Sequence, residues 1–384
     1  MTSPPTTSRP MTSPAMTSRA LMAAAMRREP VDRIPAMPQL WHDMALRVYA
    51  GEGRDWIDGL ARCIETPSLI DDAVIRLARD AGCDGIRLFT RPGPMRVARE
   101  GDTLVVLDPR TGKRTGRIDV MGGGGFVPAV PAPPVADLAE ARARLSSLGA
   151  ELTPDGEQVT ALRRARQRVP DLFVASAPGG ITINTYMNLR GSDQALVDLV
   201  EAPDFVTAVF QMQVEAMVRR AEALLTAGID ALYIGDAAAS ASVISPKHFE
   251  RFCLPAYRAF CGHFRPRGVL IYIHVCGNSN PILEMLADTG VHAVEPLDPM
   301  GGVSVADAKR RIGGRVSLMG GVSTLLLAQG TPAEVRSEAV RVCREGGPTG
   351  YVLAAGDMVP PVTPLANLRA MVDVARSSGW KKGA

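Results

Sequence analysis

The run Tyr272-Ile273-His274-Val275-Cys276-Gly277-Asn278 closes an apolar segment with a histidine and a cysteine two residues apart. On a strand, alternate side chains share a face, so the imidazole and the thiol point the same way. The two are a natural pair of zinc ligands. A buried histidine beside a structural cysteine is the plainer alternative. Glu295 ends the next apolar run and Asp357 ends the last one. At neighbouring positions these carboxylates could complete a shell of His274, Cys276, Glu295 and Asp357. A loosely held carboxylate would also supply the replaceable position that a catalytic metal requires. Asp236, in Tyr233-Ile234-Gly235-Asp236-Ala237, ends the run before the His-x-Cys pair. It could orient His274, bind substrate, act as a general acid or base, or cap a following loop or helix. Asp236 and Glu295 are thus the candidate catalytic carboxylates.

Such residues need a scaffold that brings strand ends together. Short runs rich in Val, Ile and Tyr recur at 34–39, 85–89, 172–177, 231–235, 269–275, 293–296, 316–319 and 351–354, separated by amphipathic stretches such as 202–227. Glycine stops before the runs, as in Ala227-Gly228-Ile229 and Thr289-Gly290-Val291, are the punctuation of helix followed by parallel strand. Near-continuous apolar strands imply a sheet covered on both faces. The pattern predicts an α/β fold, a single (β/α)8 TIM barrel over 19–384, whose catalytic groups sit at the C-terminal strand ends. Those ends carry Gln39 and His42, Arg87 and Arg91, Pro178-Gly179-Gly180, Asp236, His274 and Cys276, Glu295 and Asp298, Gly320-Gly321, and Asp357. An open doubly wound sheet is the alternative, but the Gly-rich dinucleotide fingerprint is missing and Gly122–Gly125 reads as a flexible loop. Residues 95–134 break the rhythm. Three short alternating runs and a Pro-rich return predict a small antiparallel β insertion after the second strand.

Composition narrows the function classes. A net charge of +3 over 384 residues, with no basic block among aromatics, excludes nucleic acid and anionic membranes as partners. No apolar run reaches the roughly 18–20 residues that span a bilayer. Six cysteines without paired spacing point to a reducing, cytoplasmic setting. Residues 1–18 nearly repeat Met-Thr-Ser-Pro and read as a disordered tail, with Met11, Met16 and Met22 each a conceivable start. Ser245-Pro246 reads as a helix cap, His248 as structural, Asp298 as a loop-positioning group, and Cys253, Cys261 and Cys343 as core thiols. His263 and His292 fall in helical or turn contexts and are set aside.

Taken together, Tyr233–Asp236, Ser245-Pro246, His274-x-Cys276-Gly277-Asn278, Gly320, Gly330-Thr331-Pro332-x-Glu334-Val335, Thr363-Pro364-x-x-Asn367 and the opening 28–35 resemble the uroporphyrinogen decarboxylase superfamily. Within it they are most similar to the methylcobamide:thiol (coenzyme M-type) methyltransferase branch. The resemblance implies a (β/α)8 barrel with a zinc ion that makes a thiol acceptor available as thiolate, to take the methyl group of a methyl-corrinoid. It also implies that His274 and Cys276 are ligands, and that Glu295 can occupy the zinc before substrate arrives. The chain has no Asp-x-His-x-x-Gly motif, so the corrinoid (cobalamin) would come on a separate corrinoid-binding protein, with a small molecule as methyl acceptor or donor. Two positions depart from the branch. Asp357 follows Gly356 where a third thiolate ligand is usual, and Gly321 follows Gly320 where asparagine is usual. A metal-independent decarboxylase or other lyase using Asp236 is the alternative activity, although the arginine-rich N-terminal motif of that branch is replaced by Pro38-Gln39-Leu40-Trp41-His42. A non-catalytic binder on the same barrel is a third.

Overall fold

Short parallel strands, buried on both faces, organise the molecule. A computed structural model describes residues 15–49, 55–120 and 125–377. Its strands are β1 (Gly85–Arg87), β2 (Arg96–Glu100), β3 (Thr103–Leu107), β4 (Arg114–Asp119), β5 (Gly125–Pro128), β6 (Phe173–Ser176), β7 (Ala231–Gly235), β8 (Leu270–His274), β9 (Ala293–Leu297), β10 (Ser317–Val322) and β11 (Tyr351–Ala355). Seven of them form one curled parallel sheet in the order β1-β6-β7-β8-β9-β10-β11. In β8, Ile271 and Ile273 join the large core under the helices, whereas Leu270 and Tyr272 belong to a separate inner cluster with Met37, Phe173, Ala231, Tyr233, Ala293, Met319 and Val352. Period two therefore sends one set of side chains to each face. His274 continues the inner set.

The first expected strand, 34–39, is not a continuous ladder. It makes two isolated parallel bridges, Ala36 with Leu353 and Gln39 with Met358. Pro35 and Pro38 explain this, since neither has an N–H to donate. The segment still bonds on both sides. Leu353 N donates to Pro35 O (2.9 Å) and Met37 N to Leu353 O (3.0 Å), while Asp84 N, just before β1, donates to Ala36 O (2.8 Å).

Helix Ser18–Met26 buries Leu21, Met22, Ala24, Ala25 and Met26, and Met22, Ala25 and Met26 join the inner cluster. Thr17 caps it, so Thr17 and Ser18, which composition assigned to the tail, belong to an ordered element. Residues 1–14 of that tail and Gly122–Gly124 lie outside the described residues. The insertion has four antiparallel strands, β2-β3-β4-β5, where three runs were expected; the fourth begins at Gly125 inside the glycine run. Leu104, Val106 and Ile118 pack it against Ile57, Leu60 and Ile64 of helix Trp56–Glu65. No helix among the described residues is long and apolar enough to cross a membrane.

Asp84 ties these parts together. Its fully buried carboxylate accepts from Arg33 (2.5 and 2.7 Å), Ala36 N (2.9 Å) and Ser18 Oγ (2.6 Å). Asp84→Ala leaves the Arg33 cation and the Ala36 amide without their acceptor, and should cost about 3 kcal/mol of unfolding free energy. Urea denaturation reads this as a lower midpoint; a loss below about 1 kcal/mol would show that the seam holds without the carboxylate.

Candidate metal centre

His274 and Glu295 stand side by side because β8 and β9 pair in register, His274 opposite Glu295. The His274 ring is almost fully buried, with Nδ1 3.0 Å from Glu295 Oε1 and Nε2 3.4 Å from Asp357 Oδ1. Cys276, one strand period beyond His274, is half-buried. Ligand atoms of His274, Cys276 and Asp357 all lie within 4.8 Å of one another, the group among the described residues able to hold a metal ion. Asp357 arrives from the turn after β11, its Oδ1 accepting from Met358 N (2.7 Å), and 35% of its side chain remains exposed. It is the open member of the trio.

Behind the ring lies a closed set of charges. Both Glu295 oxygens accept from Arg87 Nη2, and Arg87 Nε donates to Tyr272 Oη (2.8 Å). The guanidinium carbon sits 4.7 Å from the Tyr233 ring centre and 5.6 Å from that of Tyr272. Gln39, with its amide oxygen accepting from Trp41 Nε1 (3.0 Å), brings its nitrogen within 3.2 Å of Glu295 Oε1. Burial alone would raise the Glu295 pKa, but the Arg87 charge and His274 hold it below the usual range. Burial would likewise depress His274, yet the Tyr233 oxygen, Asp357, Cys276 and Glu295 around the ring hold its pKa well above the ordinary value. Asp357, despite burial, is drawn below its usual range by the hydrogen bond from His274.

The structure sorts the expected residues. His274, Cys276 and Asp357 converge. Glu295, expected as a fourth ligand, sits on the opposite edge of the imidazole and is engaged by Arg87. Asp236 is fully buried and accepts from Ile181 N (3.2 Å), Thr182 N and Oγ1 (both 2.7 Å), Asn184 N (2.9 Å) and Tyr257 Oη (3.0 Å). Its carboxylate therefore holds the start of helix Ile183–Arg190, the capping alternative, although on a preceding rather than a following helix. Burial raises its pKa against those hydrogen bonds. Asp298 positions its loop as expected, accepting from Met300 N (2.8 Å). Cys253, Cys261 and Cys343 are free and buried, and Ser245 caps Pro246–His248. Gly321 adopts φ +108°, and a side chain there would meet Val305 Cγ2 at 2.5 Å, so no asparagine fits. Arg87 was read only as a strand-end residue; its one sequence signal was a lone cation closing an apolar strand.

The uroporphyrinogen decarboxylase (URO-D) family model matches residues 117–378. A methylcobamide:CoM methyltransferase MtaA of Methanosarcina barkeri (strain Fusaro / DSM 804) is 32% identical over 215 residues, covering 55% of this chain and 60% of that protein. A uroporphyrinogen decarboxylase of Chlorobium luteolum (strain DSM 273 / BCRC 81028 / 2530) is 31% identical over 168 residues, 41% of this chain and 45% of that one. The match thus spans less than two thirds of either relative. Among solved structures, a methyltransferase from Methanosarcina mazei superposes with a TM-score of 0.69 at 22% identity, covering 94% of this chain and 99% of that one. At that identity the likeness concerns the fold.

At the start of helix His42–Tyr49, the buried His42 leaves Nδ1 without a partner. Burial, helped by the Arg91 charge, lowers its pKa from 6.5 to about 4. The unfolded chain would take up this proton near 6.5, the folded chain only near 4, so between those values the unfolded state binds more protons and stability falls as pH falls. In His42→Gln the denaturation midpoints at pH 7 and pH 5 should lie closer together than in the unaltered protein. An undiminished gap would assign the acid sensitivity elsewhere.

Proposed function

Because the chain belongs to the uroporphyrinogen decarboxylase (URO-D) family, we propose that it is a zinc-dependent methyltransferase, moving a methyl group between a corrinoid on a separate protein and a small-molecule thiol acceptor. The observation that carries this reading is the meeting of His274, Cys276 and Asp357 at the mouth of the curled sheet. Ligands bonded to tetrahedral zinc at ~2.0–2.3 Å stand roughly 3.3–3.6 Å apart. The His274–Asp357 separation of 3.4 Å fits that spacing without rearrangement. Nitrogen, sulfur and carboxylate oxygen are zinc donors, and a partly exposed carboxylate is one that an acceptor could replace. Bound there, zinc would favour the thiolate form of the acceptor near neutral pH.

The chain's own residues do the rest. Glu295 takes the Nδ1 side of His274 and so presents Nε2 to the mouth. The apolar and aromatic layer of Tyr233, Tyr272 and Met319 below excludes water from beneath the ring. Asp357, partly exposed, is the ligand best able to yield. A (β/α)8 barrel is the architecture we read from the bonds of 35–37 to both β11 and the start of β1, with this segment as eighth stave. The relatives' printed activities support methyl transfer as the reaction. Exposed Val243, Met300, Leu325 and Val362 follow four different strands on the same rim, an apolar fringe on which a corrinoid protein could dock. Six free cysteines favour the reducing cytoplasm. The lyase reading needs Asp236 to face substrate, whereas its oxygens are engaged by five protein donors.

Protein purified without added metal should contain one zinc per chain by elemental analysis. His274→Ala and Cys276→Ser should lose it along with methyl transfer to a thiol, and Asp357→Ala should bind it at least about tenfold more weakly. Full metal retention in both His274→Ala and Cys276→Ser would refute the centre.

A further inference from the structure

The Arg87–Glu295 pair raises a question the metal reading leaves open: which carboxylate gives way when an acceptor arrives. Resting on that reading, we propose that Arg87 is a positioning residue that holds Glu295 outside the metal's coordination shell, making Asp357 the ligand that yields to the acceptor.

Glu295 is held where it is from several directions. Its side chain is 2% exposed and that of Arg87 1%. Both carboxylate oxygens face Arg87 Nη2, and Oε1 also takes His274 Nδ1. Arg87 is itself fixed by the Tyr272 hydroxyl and by the two tyrosine rings over which it lies. Among the described residues, Glu295 is the only acid paired with this guanidinium. For Glu295 to reach a metal on the Nε2 edge, it would have to abandon a buried cation and strip Nδ1 of its acceptor. Breaking one partner out of a buried pair is strongly unfavourable, because the other charge stays behind without solvent.

Asp357 has the opposite character. It lies on the Nε2 edge, within reach of Cys276, with over a third of its side chain in solvent. Its departure would expose a carboxylate to water rather than strand a charge in the interior. The two acids therefore divide the work: Glu295 orients the histidine permanently, and Asp357 exchanges.

Cobalt(II) in place of zinc makes this visible, since its visible bands report ligand number and a near-ultraviolet band reports the bond to Cys276. In Glu295→Gln with Arg87 intact, band positions should stay as in the unaltered protein while cobalt affinity falls about 10- to 100-fold, the effect of losing an outer partner. In Arg87→Met, the freed Glu295 should enter the shell, shifting the visible bands and weakening 2-mercaptoethanol binding at least tenfold. The double variant Arg87→Met/Glu295→Gln should recover thiol binding. A changed visible spectrum in Glu295→Gln would make Glu295 a direct ligand and overturn the proposal, and this arm decides even if Arg87→Met does not fold. Unaltered bands and thiol binding in a folded Arg87→Met would also overturn it. Failure of the unaltered protein to bind either metal would instead refute the metal centre itself, and the clamp with it.

Discussion

A guanidinium set among tyrosines at the centre of a curled sheet has to be neutralised where it sits, because no water can reach it. Arg87 imposes that requirement, and Glu295 meets it across 208 residues of chain. Once the carboxylate is committed, His274 can offer its Nδ1 side only to that acceptor, so Nε2 turns toward Cys276 and Asp357. The direction in which the site opens thus follows from a charge balance one layer beneath it. Tyr233 and Tyr272 serve twice, packing the layer below and giving the guanidinium aromatic faces to lie on.

The backbone delivers these groups by simple alternation. Arg87 closes β1, His274 closes β8 and Glu295 lies in β9, all with the parity that faces the inner cluster, while their neighbours Ile86, Ile273 and Val294 join the core beneath the helices. Rim loops then brace one another. Gly301 passes so close to Gly277 that a side chain there would lie 2.1 Å from the Gly277 carbonyl oxygen. Asn278 N donates to Ser242 Oγ (2.9 Å), linking the loop after β8 to the one after β7. A rigid lower layer with interlocked loops above it is a frame in which ligand positions can be held while the outer rim varies.

Much of this was legible in the sequence because it depends on local periodicity. Period two placed His274 and Cys276 on one face, and the apolar runs marked all seven strands of the parallel sheet. What escaped was non-local or conformational. Nothing near Arg87 in the sequence names its partner, so Glu295 read as a metal ligand rather than a counter-ion. Asp236 carried two readings with equal force, since a strand-end aspartate looks the same whether it faces substrate or accepts from Thr182 and Tyr257. The first strand looked continuous because hydropathy does not register that Pro35 and Pro38 lack donors. The fourth strand of the insertion hid at the end of a glycine run, where side-chain pattern carries no signal.

The two departures from the thiol methyltransferase pattern fall on adjoining strands but on different faces. Asp357 follows β11, and Gly321 lies in the adjoining β10, paired with Ala354. The half built from β1, β8 and β9 keeps a closed set of hydrogen bonds around Glu295. Replacing a thiolate by a carboxylate leaves the charge of the ligand set unchanged, so a divalent ion would be balanced as before. It does replace a soft donor with a hard one, leaving a bound zinc more electrophilic and a thiolate on it less nucleophilic. At Gly321, with φ +108°, a side chain would press on Val305, Val342 and the Tyr351 hydroxyl, in the buried core beneath the helices. The departure at Asp357 is therefore the one that lies where solvent already reaches and where an acceptor would enter. The apparatus that orients His274 is buried, and alteration there would strand a charge. That asymmetry is what would allow a family member to change its acceptor without surrendering its metal.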